Sequence, residues 1–235
     1  TASIVVMVSL GIGMDESFKW QLERMGSLNI ITVDPNYAGG YGRDMAVPST
    51  GERPVLDDKA IAAISNIPDV EAVMPIMETW LKLVSNKYVA YTGIVGTDIA
   101  VLEKFDFKTS VGRLPTETDI NAVVVGSDIP RSFYNPKATG YYGYGYSEEP
   151  LVDVMNDRLE LTFDMSYGEK RYGGFGGGRQ ENQRPPKLYK INCVGILEES
   201  LGDDRNYKIF MDINMYRKLV KDNNRNQHSS AGRDF

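Results

Sequence analysis

The amino-acid sequence predicts an α+β fold, and three observations predict it. Helical and strand patterns alternate through the first hundred residues. Strand patterns dominate the remainder. The composition, 235 residues with 42% apolar and 25% charged side chains, supplies a real core and lacks the signature of disorder. That length suits one large domain or two small ones.

The first element is helical. Ala2 to Met14 carries no charge and is rich in Ile, Val, Met and Leu, and Asp15 and Glu16 end the run. Phe18, Leu22 and Met25 follow at i, i+4 and i+7, a single helical stripe, and Gly26 fits a helix stop. Leu28 to Val33 reads as a strand closed by Asp34-Pro35-Asn36, and residues 37–54 as a loop. Asp57 or Asp58 caps a helix carrying Ile61, Ile64 and Ile67, which Asn66 and Pro68 stop. Val70 to Val84 and Tyr88 to Val95 are strand-like, with Ser85-Asn86-Lys87 as the hairpin turn. Asp98 caps a short helix with Leu102 and Phe105 on one side.

The following section is richer in loops. A polar stretch leads to a short apolar strand, Ala122 to Val125, and a short helix from Ser127. "GYYGYGY" and "YGGFGGG" read as Tyr- and Gly-rich loops on either side of the strand "DRLELTFDMS". "KLYKINCVGILEES" is a strand with Tyr189, Ile191 and Cys193 on one face. "YKIFMDI" is another, and Asn214 caps a helix through Tyr216, Leu219 and Val220. The polar tail from Asp222 predicts disorder or truncation.

Several function classes are disfavoured. Gly11-Ile-Gly13 resembles the start of a dinucleotide fingerprint, but Glu16 takes the third glycine position beside Asp15, and two carboxylates repel a pyrophosphate. No Walker A loop is present. The net charge of −6 has no basic stripe to set against it and argues against nucleic acid. One histidine, His228, and one cysteine, Cys193, leave little for a His-based metal site, a triad or a disulfide. The adjacent carboxylates at 57–58, 148–149, 198–199 and 203–204 read as caps and solvated faces, Arg113 as a structural hydrogen-bond donor, and Cys193 as a small core residue. The opening run itself has two readings. It is the end of a membrane helix, since a span needs about 20 apolar residues, or it is a buried core element.

The order of four segments carries a resemblance. "VSLGIGMDESFKWQLERMGSLNIITV", "DDKAIAAISNIPDVEAVMPIMET", "YTGIVGTD" with "GRLPTETDINAVVVGSDI", and "KLYKINCVGIL" with "IFMDINMYRKL" together resemble the MacB-type periplasmic core domain of MacB/FtsX/LolC-like ABC transporter permeases. No single motif is specific; their order along nearly the whole chain is. The resemblance implies the end of a first transmembrane helix and a stalk at 1–26 and a Porter-like first half at 27–105. It implies a strand-rich Sabre-like lobe with Tyr/Gly-rich insertions at 106–221 and a polar tail at 222–235. The second Porter half that the family places after the lobe is not evident.

The same resemblance implies a function. The chain is expected to be the extracytoplasmic domain of a permease subunit at the cell membrane, coupling cytoplasmic ATP hydrolysis to efflux or another mechanical task. Phe18, Leu22 and Met25 are the expected coupling stripe, which also packs onto the domain. No cofactor is expected in this chain, ATP and Mg belonging to a partner ATPase, and no catalysis. The expected partners are that ATPase subunit, a second permease copy, a periplasmic adaptor protein and the membrane, with no nucleic acid. The alternative is a binding module in which Tyr141, Tyr142, Tyr144 and Tyr146 contact a sugar or a protein.

Overall fold

A computed structural model describes residues 2–24, 29–33, 56–138, 147–169, 186–200 and 203–231. It contains helices α1 (Ala2–Arg24), α2 (Asp58–Ser65) and α3 (Ile213–Ala231). The strands are β1 (Met77–Ser85), β2 (Tyr88–Thr97), β3 (Thr109–Gly112), β4 (Ala122–Val125), β5 (Leu159–Thr162), β6 (Tyr189–Leu197) and β7 (Lys208–Asp212). This mixture of helices around a sheet is the α+β arrangement the sequence predicts.

The strands form one sheet in the order β3-β6-β4-β7-β2-β1-β5, and β5 pairs again with β6. That last pairing closes six strands into a barrel. One edge of β6 serves two neighbours, β5 at Tyr189 to Ile191 and β3 at Gly195 to Leu197. A bulge at Val194 separates the two halves, where Val123 pairs with Cys193 but Val124 pairs with Gly195. Hydrogen bonding runs across position 105/106, since β1 and β2 pair with β5 and β7.

Alternation along the central strands builds two cores. All six barrel strands place apolar side chains in the first, among them Leu81, Leu83, Ile94, Val123, Val125, Leu161, Ile191, Ile209 and Met211. This cluster therefore fills the barrel, and Tyr216 and Leu219 of α3 join it. Val95, Val124, Leu197 and Phe210 point the other way, onto Ile99, Leu102 and Phe107. The turn of 3-10 helix Ile99–Phe105 thus covers the outer face, and β4 and β7 are buried on both sides. Two-sided burial explains the uninterrupted apolar runs of these strands.

Local signals hold at several ends. Asp57 Oδ1 accepts from Ala60 N at 2.9 Å and caps α2, and Asp98 Oδ1 accepts from Ala100 N at 3.0 Å. Asn86 turns the β1–β2 hairpin at φ 52°.

Other expectations are corrected. Residues 29–33 form no strand: no partner strand lies against them among the described residues, and Ile31 is 86% exposed. β1 begins at Met77 rather than Val70, because its partner β2 ends at Thr97 and Asp98 turns the chain away, leaving 70–76 unpaired. The helix predicted from Ser127 is a single 3-10 turn, Ile129–Arg131. The cap of α3 is Asp212, whose Oδ1 accepts from Asn214 N at 2.8 Å and Met215 N at 3.2 Å, and not Asn214. Helix α3 runs through the polar tail to Ala231. The short edge strand β3 occupies a stretch that reads as polar loop.

Candidate functional site

Helix α1 contains Phe18 and Leu22, two of the three residues of the expected coupling stripe. Every described side chain from Val5 to Lys19 is exposed. Val5, Val6, Met7, Leu10, Ile12 and Met14 surround the axis rather than line one side of it, and a helix apolar all round needs an apolar environment. At the boundary, Asp15 pairs with Lys19 one turn on at 2.8 Å. The helix is unbroken through Gly11 and Gly13, where an added methyl would meet nothing within 4 Å. Among the described residues no helix is long and apolar enough to cross a membrane.

Phe18 is 61% exposed, so the packing onto the domain expected of it does not occur. Leu22 lies within α1 with its side chain outside the described residues, and Met25 lies outside them. Tyr141, Tyr142, Tyr144 and Tyr146 also lie outside the described residues.

Two ionic clamps tie loops to the outer face of the barrel. Lys82, in the middle of β1, is 2% exposed. Its Nζ donates to Glu169 Oε1 at 2.6 Å and to the Tyr167 carbonyl at 3.3 Å. Tyr134 Oη donates to the same Glu169 oxygen at 3.3 Å, so one carboxylate gathers β1, the segment after β5, and the segment bridged to Val89. Lys208, at the start of β7, pairs with Glu78 at 2.9 Å and Asp204 at 2.5 Å. Burial alone would lower the Lys208 pKa, but the hydrogen bonds and charges of Asp204 and Glu78 outweigh it and raise it.

Arg113 behaves as the structural donor the sequence predicts. Its guanidinium grips Asp119 with two bonds, 2.6 and 2.8 Å, and donates to the Leu114 carbonyl at 3.1 Å. Thr116 adds its N–H at 2.8 Å and its hydroxyl at 2.9 Å. The Arg113 hydrogen bond, followed by those from Thr116, holds the Asp119 carboxyl well below the usual carboxylate range. Cys193 is partly buried beside Met155, and burial pushes its thiol up to about 11, away from nucleophilic use.

Two of the four carboxylate pairs are engaged structurally. Asp57 caps α2 while Asp58 meets Arg217 at 3.2 Å. Asp203 caps the 3-10 turn Asp204–Tyr207 and contacts Arg205, and Asp204 holds Lys208. Glu148, Glu149, Glu198 and Glu199 are exposed. Among the described residues no group of three His, Cys, Asp or Glu side chains is placed to hold a metal.

A family model of MacB-like periplasmic core domains matches residues 1–230. The chain is similar to the extracellular domain of the noncanonic ABC-type transporter YknZ from Gram-positive bacteria, with 10% identity and a TM-score of 0.44. That alignment covers 70% of this chain and 66% of the other. It is also similar to the periplasmic region of MacB from Actinobacillus actinomycetemcomitans, with 11% identity and a TM-score of 0.40, over 66% of this chain and 54% of that one. The chain thus spans between about half and two thirds of the length of these structures. No curated protein matches it. The match over nearly its whole length decides the matter: the chain belongs to the family of MacB-like periplasmic core domains.

Proposed function

We propose that the chain is the extracytoplasmic domain of an ABC transporter permease, which carries motion driven by ATP hydrolysis in the cytoplasm to a partner or cargo outside. One observation carries this reading. Helix α1 is continuous from Ala2 to Arg24, and its uncharged first half exposes apolar side chains on all sides. A lipid bilayer is the environment that suits such a surface, and Asp15-Glu16 would then mark the exit into water. An unbroken helix has few soft joints, and at 1.5 Å per residue its length is about 35 Å. It is therefore a suitable rod between membrane and barrel, with the ionic clamps keeping the barrel rigid at its far end. The chemistry of ATP and Mg would reside on a separate ATPase subunit, and two permease copies would work as a pair, with an adaptor protein outside.

The test uses the complete transporter with its ATPase. A spin label is placed at Phe18→Cys in a Cys193→Ser background, in both permease copies. The expected result is a label-to-label distance that changes between the nucleotide-free and ATP-bound states. An unchanged distance in a transporter that hydrolyses ATP would contradict the coupling role.

A further inference from the structure

A second surface, distant in sequence from α1, invites a partner. Along α3, Arg217, Lys221 and Arg225 recur every fourth residue and so form a row on one side of the helix. They rim a cleft of about 450 Å³ with an apolar floor of Met77, Tyr216 and Val220. Met77 is 39% exposed at this floor, although it begins a central strand.

The first cation of the row already shows the chemistry in use. Arg217 meets Asp58, at the start of α2, at 3.2 Å. Lys221 and Arg225 are exposed and make no ion pair among the described residues. Asp58 holds Arg217 and Glu78 holds Lys208, so Lys221 and Arg225 are the cations along the trough without an ion pair among the described residues. Charge complementarity therefore calls for a partner that brings carboxylates along a line and apolar side chains beside them.

The spacing narrows the partner further. Cations four residues apart on a helix lie about 6 Å apart along its axis. A partner helix with acidic residues at i and i+4 repeats the same interval, and its adjacent row of apolar residues enters the trough. We infer that this cleft binds an acidic amphipathic helix of a partner protein, with carboxylates on Lys221 and Arg225 and apolar side chains against Met77, Tyr216 and Val220. The inference is independent of the role of α1.

The test is a fluorescence-anisotropy titration of the whole chain with a labelled synthetic helix bearing Glu at every fourth position beside a row of Leu. K221E/R225E is the variant; both side chains are exposed, and circular dichroism checks that the fold is kept. Phosphatidylglycerol vesicles are titrated in parallel. The expected result is saturable binding to the native chain, weakened about tenfold or more by K221E/R225E. A helix with Lys in place of Glu should bind the variant and not the native chain. Absence of binding to the Glu helix, or binding that K221E/R225E leaves unchanged, would overturn the inference. Vesicle binding that needs Lys221 and Arg225 without any helix binding would assign the row to a membrane surface and overturn it equally.

Discussion

Gly96 lies where β2 meets α3 with no room for a side chain. A Cβ there would lie 2.4 Å from Cβ of Tyr216, whose side chain joins α3 to the barrel core. Gly96→Ala is therefore expected to cost about 1–3 kcal/mol, because one side must shift within a filled core. Gly93→Ala, which meets side-chain atoms only at the longer distances of 3.2 Å (Glu78 Oε1) and 3.3 Å (Lys208 Cγ), should cost less. Urea denaturation of the two variants checks the order. Asp119 supports a second prediction. Its pKa is depressed by Arg113 and Thr116, so its contribution to stability is complete above about 3.9, the value in the unfolded chain, and is lost as the pH falls through the lower folded value. Followed by carbon NMR, the Asp119 carboxyl should remain ionised through the range in which ordinary aspartates protonate. Titration at the ordinary value would show that the Arg113 grip does not persist in solution. The roles of Asp57, Asp98 and Arg113 were legible in the sequence, because a cap or a short loop is decided by neighbours in the chain. Tight approach at Gly96 was not, since Tyr216 lies far along the chain.

At the scale of elements, the cover over Lys82 depends on distant sequence. In "TWLKLV" it alternates with Leu81 and Leu83, which places it on the face of β1 opposite theirs. That face is covered by the segment that carries Tyr167 and Glu169, and no local rule announces the cover. The pair is asymmetric: the Lys82 side chain is 2% exposed and that of Glu169 is 39% exposed. Removing the lysine leaves a carboxylate that water can reach, whereas removing the carboxylate leaves a buried ammonium. Glu169→Gln should therefore destabilise by about 2–3 kcal/mol and Lys82→Met by about 1 kcal/mol or less. Equal costs in thermal unfolding would contradict the clamp. Strand and helix bounds follow the same division. β4 matches its expected limits because four apolar residues between polar loops leave little choice. The stretch 70–76 is as apolar as a strand, yet it lacks one because its neighbour β2 ends at Thr97.

For the whole molecule, the order of segments was readable but the closure of the sheet was not. The pairing of β5 with β6 joins residues 159–161 to 189–191, and pairings of that kind depend on the geometry of the whole barrel. The packing of Phe18 onto the domain, which the sequence leads one to expect, is absent, since its side chain is exposed. The proposed coupling role depends on where α1 resides. The most direct measurement is a cysteine scan at Val5, Leu10, Met14 and Phe18, one at a time in a Cys193→Ser background, with the complete protein in proteoliposomes. Each site is exposed to a water-soluble maleimide. Protection is expected at Val5 and Leu10, a transition near Met14 and full labelling at Phe18. Uniform labelling along the helix would contradict that role and leave a barrel domain with no membrane-borne rod.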